Sequence, residues 1–405
     1  MTERALTAGC NPTLVERTWD AVVIGAGPAG CTAARRLAHQ GQATLVLDRH
    51  AFPRDKVCGD GLIPDAIESL RRGGLLETVE REAFHADALA VYSPGAVRVD
   101  VAGRFLTLRR RRLDQLLLDA ALDAGARFHT ATVAATRSTA ECVELYLRGA
   151  PVVVRAQYVV LATGADTRLR SQVTPDGAAG ALALRCYVKA PVDLQELVIS
   201  FDRAVLPGYA WIFPLGAGWF NMGCGVFHHG RRAPRINLRH TFTAFTHHFP
   251  IAREIWRNRS DATPLAGARL RCGLEPEASY DGKRTVAVGE TIAATFPFTG
   301  EGIGKAMETA EIAGDRVDLA LRRNDPGVLA DYPQRLVRQV APRYEGYRVA
   351  ERWIRWPRLT DFVAARVAHS RRLQRAAAGV LSESADPRQI FSARALMPAL
   401  LPWRS

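Results

Sequence analysis

The chain has little of several things. Only four of its 405 residues are lysine (Lys56, Lys189, Lys283 and Lys305), and only four are methionine. No window approaches the ~20 apolar residues of a membrane-spanning helix. The first twenty residues, MTERALTAGCNPTLVERTWD, lack the apolar core of a signal peptide. Seven cysteines, at 10, 31, 58, 142, 186, 224 and 272, form no CxxC pair and no regular spacing. That argues against a zinc ribbon and a disulfide framework, and for a reducing, cytoplasmic setting. The histidines pair at His228-His229 and His247-His248 without HxxxH or HExxH context, so no metal site is expected. Gly-x-Ser-x-Gly and Walker motifs are missing as well. No basic run is interleaved with aromatics, which leaves nucleic acid without a recognisable binding patch.

What is present is globular. Hydrophobic residues make up 48% and charged residues 23%, and at ~150 residues per domain the length allows two or three domains. The net charge is +13, and 50 of the 54 basic residues are arginine. From Arg335 to Ser405, fourteen arginines face five acids, placing +9 in the last 71 residues. Two readings of that excess stand open: docking to an anionic membrane surface, or an arginine-covered helical cap.

The chain opens with an apolar run, Asp20-Ala-Val-Val-Ile24, typical of a buried parallel strand. It leads into Gly25-Ala-Gly27-Pro28-Ala29-Gly30 and a helical stretch to about Gln40, then a second strand, Thr44–Asp48. In such a unit Gly25 allows the sharp turn, Gly27 lets backbone approach a pyrophosphate, and Gly30 lets helix and strand pack closely. The phosphates are expected at the helix N-terminus. Asp48, 18 residues after Gly30, is placed to accept the ribose hydroxyls of an adenosine. A second strand-to-turn segment, Val286-Ala-Val-Gly289-Glu290, and the glycine-rich Pro297-Phe-Thr-Gly300-Glu301-Gly302-Ile303-Gly304 precede a helix at 302–322. A simple NAD enzyme has no need of this second site. A flavin does, for its ribityl chain and for negative charge at a helix start. FAD is therefore the expected cofactor.

The expected fold is α/β: a Rossmann-type FAD-binding domain with an inserted β-rich substrate domain and a helical C-terminal region. The first part of the FAD domain is set at 16–175, with strands 86–108 joining the substrate domain. The substrate domain is set at 176–275, the second FAD part at 276–325, and the helical region at 326–405.

The sequence resembles the FAD-dependent geranylgeranyl reductase family, within the wider fold of aromatic hydroxylases and flavin-dependent halogenases. The motifs that carry it are Val22–Gly30, the loop Phe52-Pro-Arg-Asp-Lys56-Val-Cys58-Gly59-Asp60-Gly61, Arg110-Arg-Arg-Leu113-Asp114, Ala162-Thr163-Gly164, Pro207-Gly-Tyr209-Ala-Trp211-Ile-Phe213-Pro214, and Gly289 through Gly302. They span roughly 18–325. The Cys-Gly-Asp loop and the Tyr-x-Trp-x-Phe-Pro segment are the specific ones. Two positions depart from the pattern. Glu290 stands where the family has Asp, and Thr163-Gly164 stands where the hydroxylases have Asp-Gly.

The resemblance implies an apolar substrate and reduction of C=C bonds, with NAD(P)H or ferredoxin as electron donor. The rivals are a flavin-dependent monooxygenase or halogenase, and a non-enzymatic flavoprotein. Cofactor contacts are implied at Gly25, Gly27, Pro28, Ala29, Gly30, Asp48, Arg49, Lys56, Cys58, Gly59, Asp60, Arg110, Thr163, Gly164, Gly289, Glu290, Pro297, Gly300, Glu301, Gly302 and Ile303. A substrate cavity is implied at Tyr209, Trp211, Phe213 and Pro214. The first three share one strand face by period two, a pattern that a sandwich core produces equally well. Cys58, Tyr209 and Trp211 are the candidate catalytic residues. Cys58, near Arg54 and Lys56 in sequence, either acts at the flavin or is a small packed side chain. Peripheral contact with the inner face of a membrane completes the expectations.

Overall fold

The computed structural model describes residues 17–170, 180–228, 236–297, 299–354 and 356–390. The first strand, β1 (Thr18–Ile24), is buried from Ala21 to Ile24 and lies at the centre of a parallel sheet. Both faces of such a strand are covered, which is why its sequence is continuously apolar. Helix α1 (Pro28–His39) follows, then β2 (Thr44–Asp48) beside β1. At the tight turn Gly25 adopts φ +105°, and a Cβ on Gly30 would overlap the Gly25 carbonyl. Any side chain at Gly30 would push α1 off the sheet.

The chain then crosses to a second sheet through β3 (Gly61–Leu62), passes helices α2 (Pro64–Arg72) and α3 (Leu76–Glu80), and forms β4 (Phe84–Tyr92) and β5 (Arg98–Thr107) there. It returns through α4 (Arg110–Asp123), β6 (Arg127–Thr130), β7 (Val133–Ser138), β8 (Val143–Leu147) and β9 (Val153–Leu161). The second sheet is completed by β10 (Gly180–Lys189), β11 (Leu197–Ser200), β12 (Tyr209–Gly216) and β13 (Trp219–His228). After α5 (Leu238–His248) and α6 (Pro250–Arg257), β14 (Asp261–Ala262) and β15 (Ala266–Arg271) pair with β10. Phe242, Phe245 and Phe249 of the α5–α6 region form one core with Ala210, Ile212, Met222 and Cys224 of this sheet.

The last strand, β16 (Thr285–Ala287), returns to the first sheet beside β9. A single 3-10 turn separates it from the glycine-rich loop and α7 (Ile303–Arg323), which packs on α1. So a Rossmann-type sheet carries a β-rich insertion, as the sequence leads one to expect. The stretch 236–257 forms two helices, broken at Phe249-Pro250 because proline starts a helix and cannot continue one. The C-terminal helices are α8 (Tyr332–Gln339), α9 (Ala341–Ile354), α10 (Pro357–Ala368) and α11 (Arg371–Leu381). Val363 and Val367 of α10 share a core with Val99, Val101 and Phe105 of β5.

A buried charge cluster binds these helices to the flavin domain. Lys305, only 2% exposed, reaches Glu308 and Glu383 at 2.6 Å each and Asp65 at 3.7 Å. Arg343 of α9 pairs with the same Glu308 and Glu383. Removing one partner from a buried ion group leaves charge uncompensated at about 3–5 kcal/mol. Lys305→Met should therefore unfold at lower denaturant at pH 8, by about that amount. The deficit should shrink as pH falls through about 7, where Asp65 takes up a proton. Denaturant melts at the two pH values check both the size and the sign.

Candidate active site

A cavity of about 700 Å³ runs between the two sheets, from the C-terminal edge of the parallel sheet to the underside of α10 and α11. At one end lie Asp48 and Arg49, just past β2. The Asp48 oxygens accept the backbone N–H groups of Ala26 (2.8 Å) and His50 (2.9 Å), which ties the carboxylate to the glycine turn.

Next comes Gly27, the residue before α1. No side chain caps this helix start, so its first-turn N–H groups are left for an anion. A Cβ on Gly27 would lie 3.7 Å from the Arg54 guanidinium and 3.9 Å from that of Arg110. Both cations are anchored on one buried carboxylate. Asp114 takes Arg110 through two hydrogen bonds of 2.7 and 2.8 Å and Arg54 through an ion pair of 2.9 Å. Two positive charges held by one negative charge beside an uncapped helix start suit a diphosphate. Arg54 carried no weight of its own in the sequence. Its proximity to Gly27 arises only when the loop after β2 folds back.

Further along, three distant segments meet. The Glu290 carboxylate accepts the Arg271 backbone N–H at 3.2 Å, stands 4.0 Å from the Lys56 ammonium, and would lie 3.6 Å from a Cβ on Gly164. Thr163 turns its hydroxyl to the Asp166 carbonyl. Gly300 (φ +74°), Glu301, Gly302 and Ile303 line the cavity at the start of α7, another helix end without a side-chain cap.

The loop Cys58–Gly61 lies against the aromatic strand. Cβ atoms on Gly59 and Gly61 would come within 3.4 and 3.1 Å of the Phe213 ring. Asp60 is fully buried with φ +65°. Its carboxylate accepts from the Arg110 backbone N–H (3.1 Å), the Tyr187 hydroxyl (2.8 Å) and the Asn221 amide (2.8 Å). Burial outweighs these bonds and raises its pKa to about 6. Asn221 also donates to the Cys58 carbonyl at 2.8 Å and accepts from the Trp211 indole at 2.9 Å. The Cys58 thiol, half-buried and free, lies on the cavity wall beside Arg110.

Tyr209, Trp211 and Phe213 face the cavity from one side of β12, while Ala210 and Ile212 enter the core on the other. Glycines on β13 make the room: Trp211 lies opposite Gly223, and a Cβ there would collide with its indole. Tyr209 donates to the Thr299 carbonyl at 2.7 Å and stacks on Phe227.

Four expected contacts do not line the cavity. Pro214 has the parity of Ala210 and Ile212 and is buried on the far side of β12. Pro297 is buried behind the glycine-rich loop. Gly30 and Gly289 act through packing: a Cβ on Gly289 would press on Ala29 and Ala306, so its bareness lets α1 and α7 approach. Asn221, Tyr187 and Arg185 belong to the site's support and carried no motif. Among the described residues, no group of three or more His, Cys, Asp and Glu side chains is arranged to hold a metal.

A parallel sheet with a glycine-led, uncapped helix start, paired guanidiniums beside it and a second sheet roofing the cavity define an FAD-dependent oxidoreductase. Residues 18–189 match the FAD binding domain family. Over 345 residues the chain is 31% identical to a menaquinone reductase of Mycobacterium tuberculosis, covering 78% of this chain and 81% of that one. It is 29% identical to digeranylgeranylglycerophospholipid reductase 2 of Methanopyrus kandleri, covering 76% and 78%. A geranylgeranyl bacteriochlorophyll reductase-like structure from Thermoplasma acidophilum superposes with a TM-score of 0.74 at 19% identity, over 95% and 96% of the two chains. A flavin-dependent brominase shares the fold equally, with a TM-score of 0.74 at 17% identity over 95% and 98%. The chain belongs to the FAD-dependent geranylgeranyl reductase family.

Gly27→Val should fill the gap before the two guanidiniums. Purified wild type is expected to be yellow with one FAD per chain, and the variant colourless. The ratio of flavin to protein absorbance measures it.

Proposed function

We propose that the protein reduces C=C bonds of an isoprenoid or similarly apolar chain. The observation that carries this reading is the continuity of the cavity. It passes from Cys58, Tyr209 and Trp211 into an arm walled by Leu89, Val99, Val101, Phe105, Val363 and Ile390. Such a wall offers an apolar chain burial worth roughly 25 cal/mol per Å². The relatives named for reduction of menaquinone and of digeranylgeranylglycerophospholipid support the same substrate class. Bound and reduced, FAD supplies a hydride. The chain supplies position and dryness. Gly27, Arg54 and Arg110 hold the diphosphate, Asp48 the adenosine ribose, and Glu290, Thr163 and Gly164 the ribityl side. Trp211 and Phe213 wall the reacting end, and the Cys58 loop closes it. NAD(P)H or ferredoxin delivers the electrons.

The halogenase alternative calls for a lysine beside the substrate. Lys56 is paired with Glu290 at 4.0 Å, and Lys189 lies at the end of β10, between Trp219 of β13 and Asp261 of β14. Neither is free for that role. Anaerobic incubation of the reduced enzyme with a polyprenyl alkene should add two hydrogens to the product by mass spectrometry. A product that instead gains oxygen or halogen in air, with no hydrogenated product under nitrogen, would overturn the reading.

The substrate reaches the cavity, in this proposal, from the inner face of a membrane. Helix α10 walls the apolar arm, and the residue just before it, Trp356, is 70% exposed. Phe362, Arg358, Arg371 and Arg372 are exposed nearby in sequence. Trp403 and the side chain of Trp353 lie outside the described residues. Part of the basic excess is spent internally, as the pairs of Arg335 and Arg343 with acids indicate. Basic residues near anionic lipid contribute ~1 kcal/mol each, and the Debye length falls to ~3 Å at 1 M salt. The protein should float with anionic liposomes at low salt and be released at 1 M. Equal behaviour with neutral liposomes, or no binding, leaves only the helical cap.

A further inference from the structure

We propose that Glu301 is the acid that protonates the substrate during reduction, and that Asp65 and the Lys305 cluster recharge it. The inference rests on the reductase reading. In that reaction one alkene carbon receives a hydride from the reduced cofactor and its neighbour receives a proton. Two electrons enter with the hydride, the C=C π bond is replaced by two C–H bonds, and the donor is left as a carboxylate.

Three observations point to Glu301. It lines the cavity between Gly300 and Gly302, two residues before α7, in the part that also holds Tyr209 and Tyr347. Its Oε2 atom is buried and has no hydrogen-bond partner. Among the described residues no cation forms an ion pair with it. The two cations of the region, Lys305 and Arg343, are taken by Asp65, Glu308 and Glu383. Four carboxyls thus share two positive charges, and the group is short of cations by two. Such an excess of buried carboxyls favours the protonated form of those without a cation, since uncompensated buried charge is the costlier state.

Which those are follows from the surroundings. Burial raises the Glu301 pKa well above the usual range. Asp65 and Glu383 raise it further, while Lys305 and Thr299 oppose. Burial also lifts Asp65 to about 7 against the pull of Lys305. Glu308, by contrast, is held low by Lys305 and Arg343 despite its burial. So Glu301 carries a donatable proton. Asp65, itself on the cavity wall with a buried, unpartnered Oδ1, titrates near neutrality, lies 3.7 Å from Lys305 and acts electrostatically on Glu301. Glu383, in the turn after α11, is the cluster member contributed by the C-terminal helices. The remaining groups facing Glu301 are the hydroxyls of Tyr209 and Tyr347, both held neutral by burial.

The test is Glu301→Gln, which keeps shape and loses the proton. Three results are expected. First, with rates normalised to bound FAD, single-turnover reduction of the polyprenyl alkene falls roughly 100-fold or more while the bound FAD can still be reduced. Second, wild-type turnover declines as pH rises past the carboxyl's pKa, and this limb disappears in the variant. Third, the infrared carbonyl absorption of protonated carboxylic acids in wild type at neutral pH loses one component in Glu301→Gln, while that of Asp65 remains. Glu301→Asp should recover much of the rate, which a purely structural role would not give. Full turnover in Glu301→Gln, or an unchanged infrared band, would overturn the donor assignment. Since wild type would still hydrogenate the alkene, that outcome is distinct from failure of the reductase reading, in which wild type itself makes no reduced product.

Discussion

The site depends on one buried carboxylate. Asp60 is bonded at once to the start of α4 through Arg110, to β10 through Tyr187 and to β13 through Asn221. It thereby joins the flavin domain to the second sheet on the cavity wall. Left unpaired, a buried carboxylate would be costly; with three donors its place is set in all three directions. The Cys58 carbonyl and the Trp211 indole hang from the same Asn221. The candidate catalytic thiol and the aromatic wall therefore hold their spacing because a single polar joint does.

Around that joint the electrostatics divide the cavity into zones. At the glycine turn, Arg54 and Arg110 outnumber Asp114, which leaves positive charge for a diphosphate. At the start of α7 the balance reverses, and acids outnumber cations. Beyond Phe213 the wall is apolar up to Val363 and Ile390. An anion, a proton and an apolar chain are each matched by a separate stretch of one cavity. The acidic zone does double duty, because Lys305 and Arg343 also tie α9 and the end of α11 to the flavin domain. Protonation there is coupled to the elements that roof the apolar arm.

Much of the frame was legible in the sequence. The strand–turn–helix at Asp20–Gln40, the strand ending at Asp48 and the helix after Gly302 are local features, set by apolar runs and by glycine positions that admit no side chain. The period-two run Tyr209, Trp211, Phe213 put three rings on one face. Pro214 was put in the cavity by the resemblance, although its parity assigns it to the other side. Whether the face meets a cavity or a core was not readable, since either buries aromatic rings equally well.

The sequence by itself determined the strand order of the first β-α-β unit, the phosphate turn and the residue types available at the flavin. Each follows from backbone sterics and from hydrophobic periods that act within a few residues. Only the tertiary structure decided the partners. Arg54 meets Arg110 on Asp114, Glu290 meets Lys56 and Gly164, and Glu301 is left without a cation because Lys305 is claimed by three other acids. Those pairings join residues up to 240 positions apart (Asp65 and Lys305). They depend on how two sheets and the C-terminal helices pack, because the energy of a charge is fixed by what surrounds it in space and not by its neighbours in the chain.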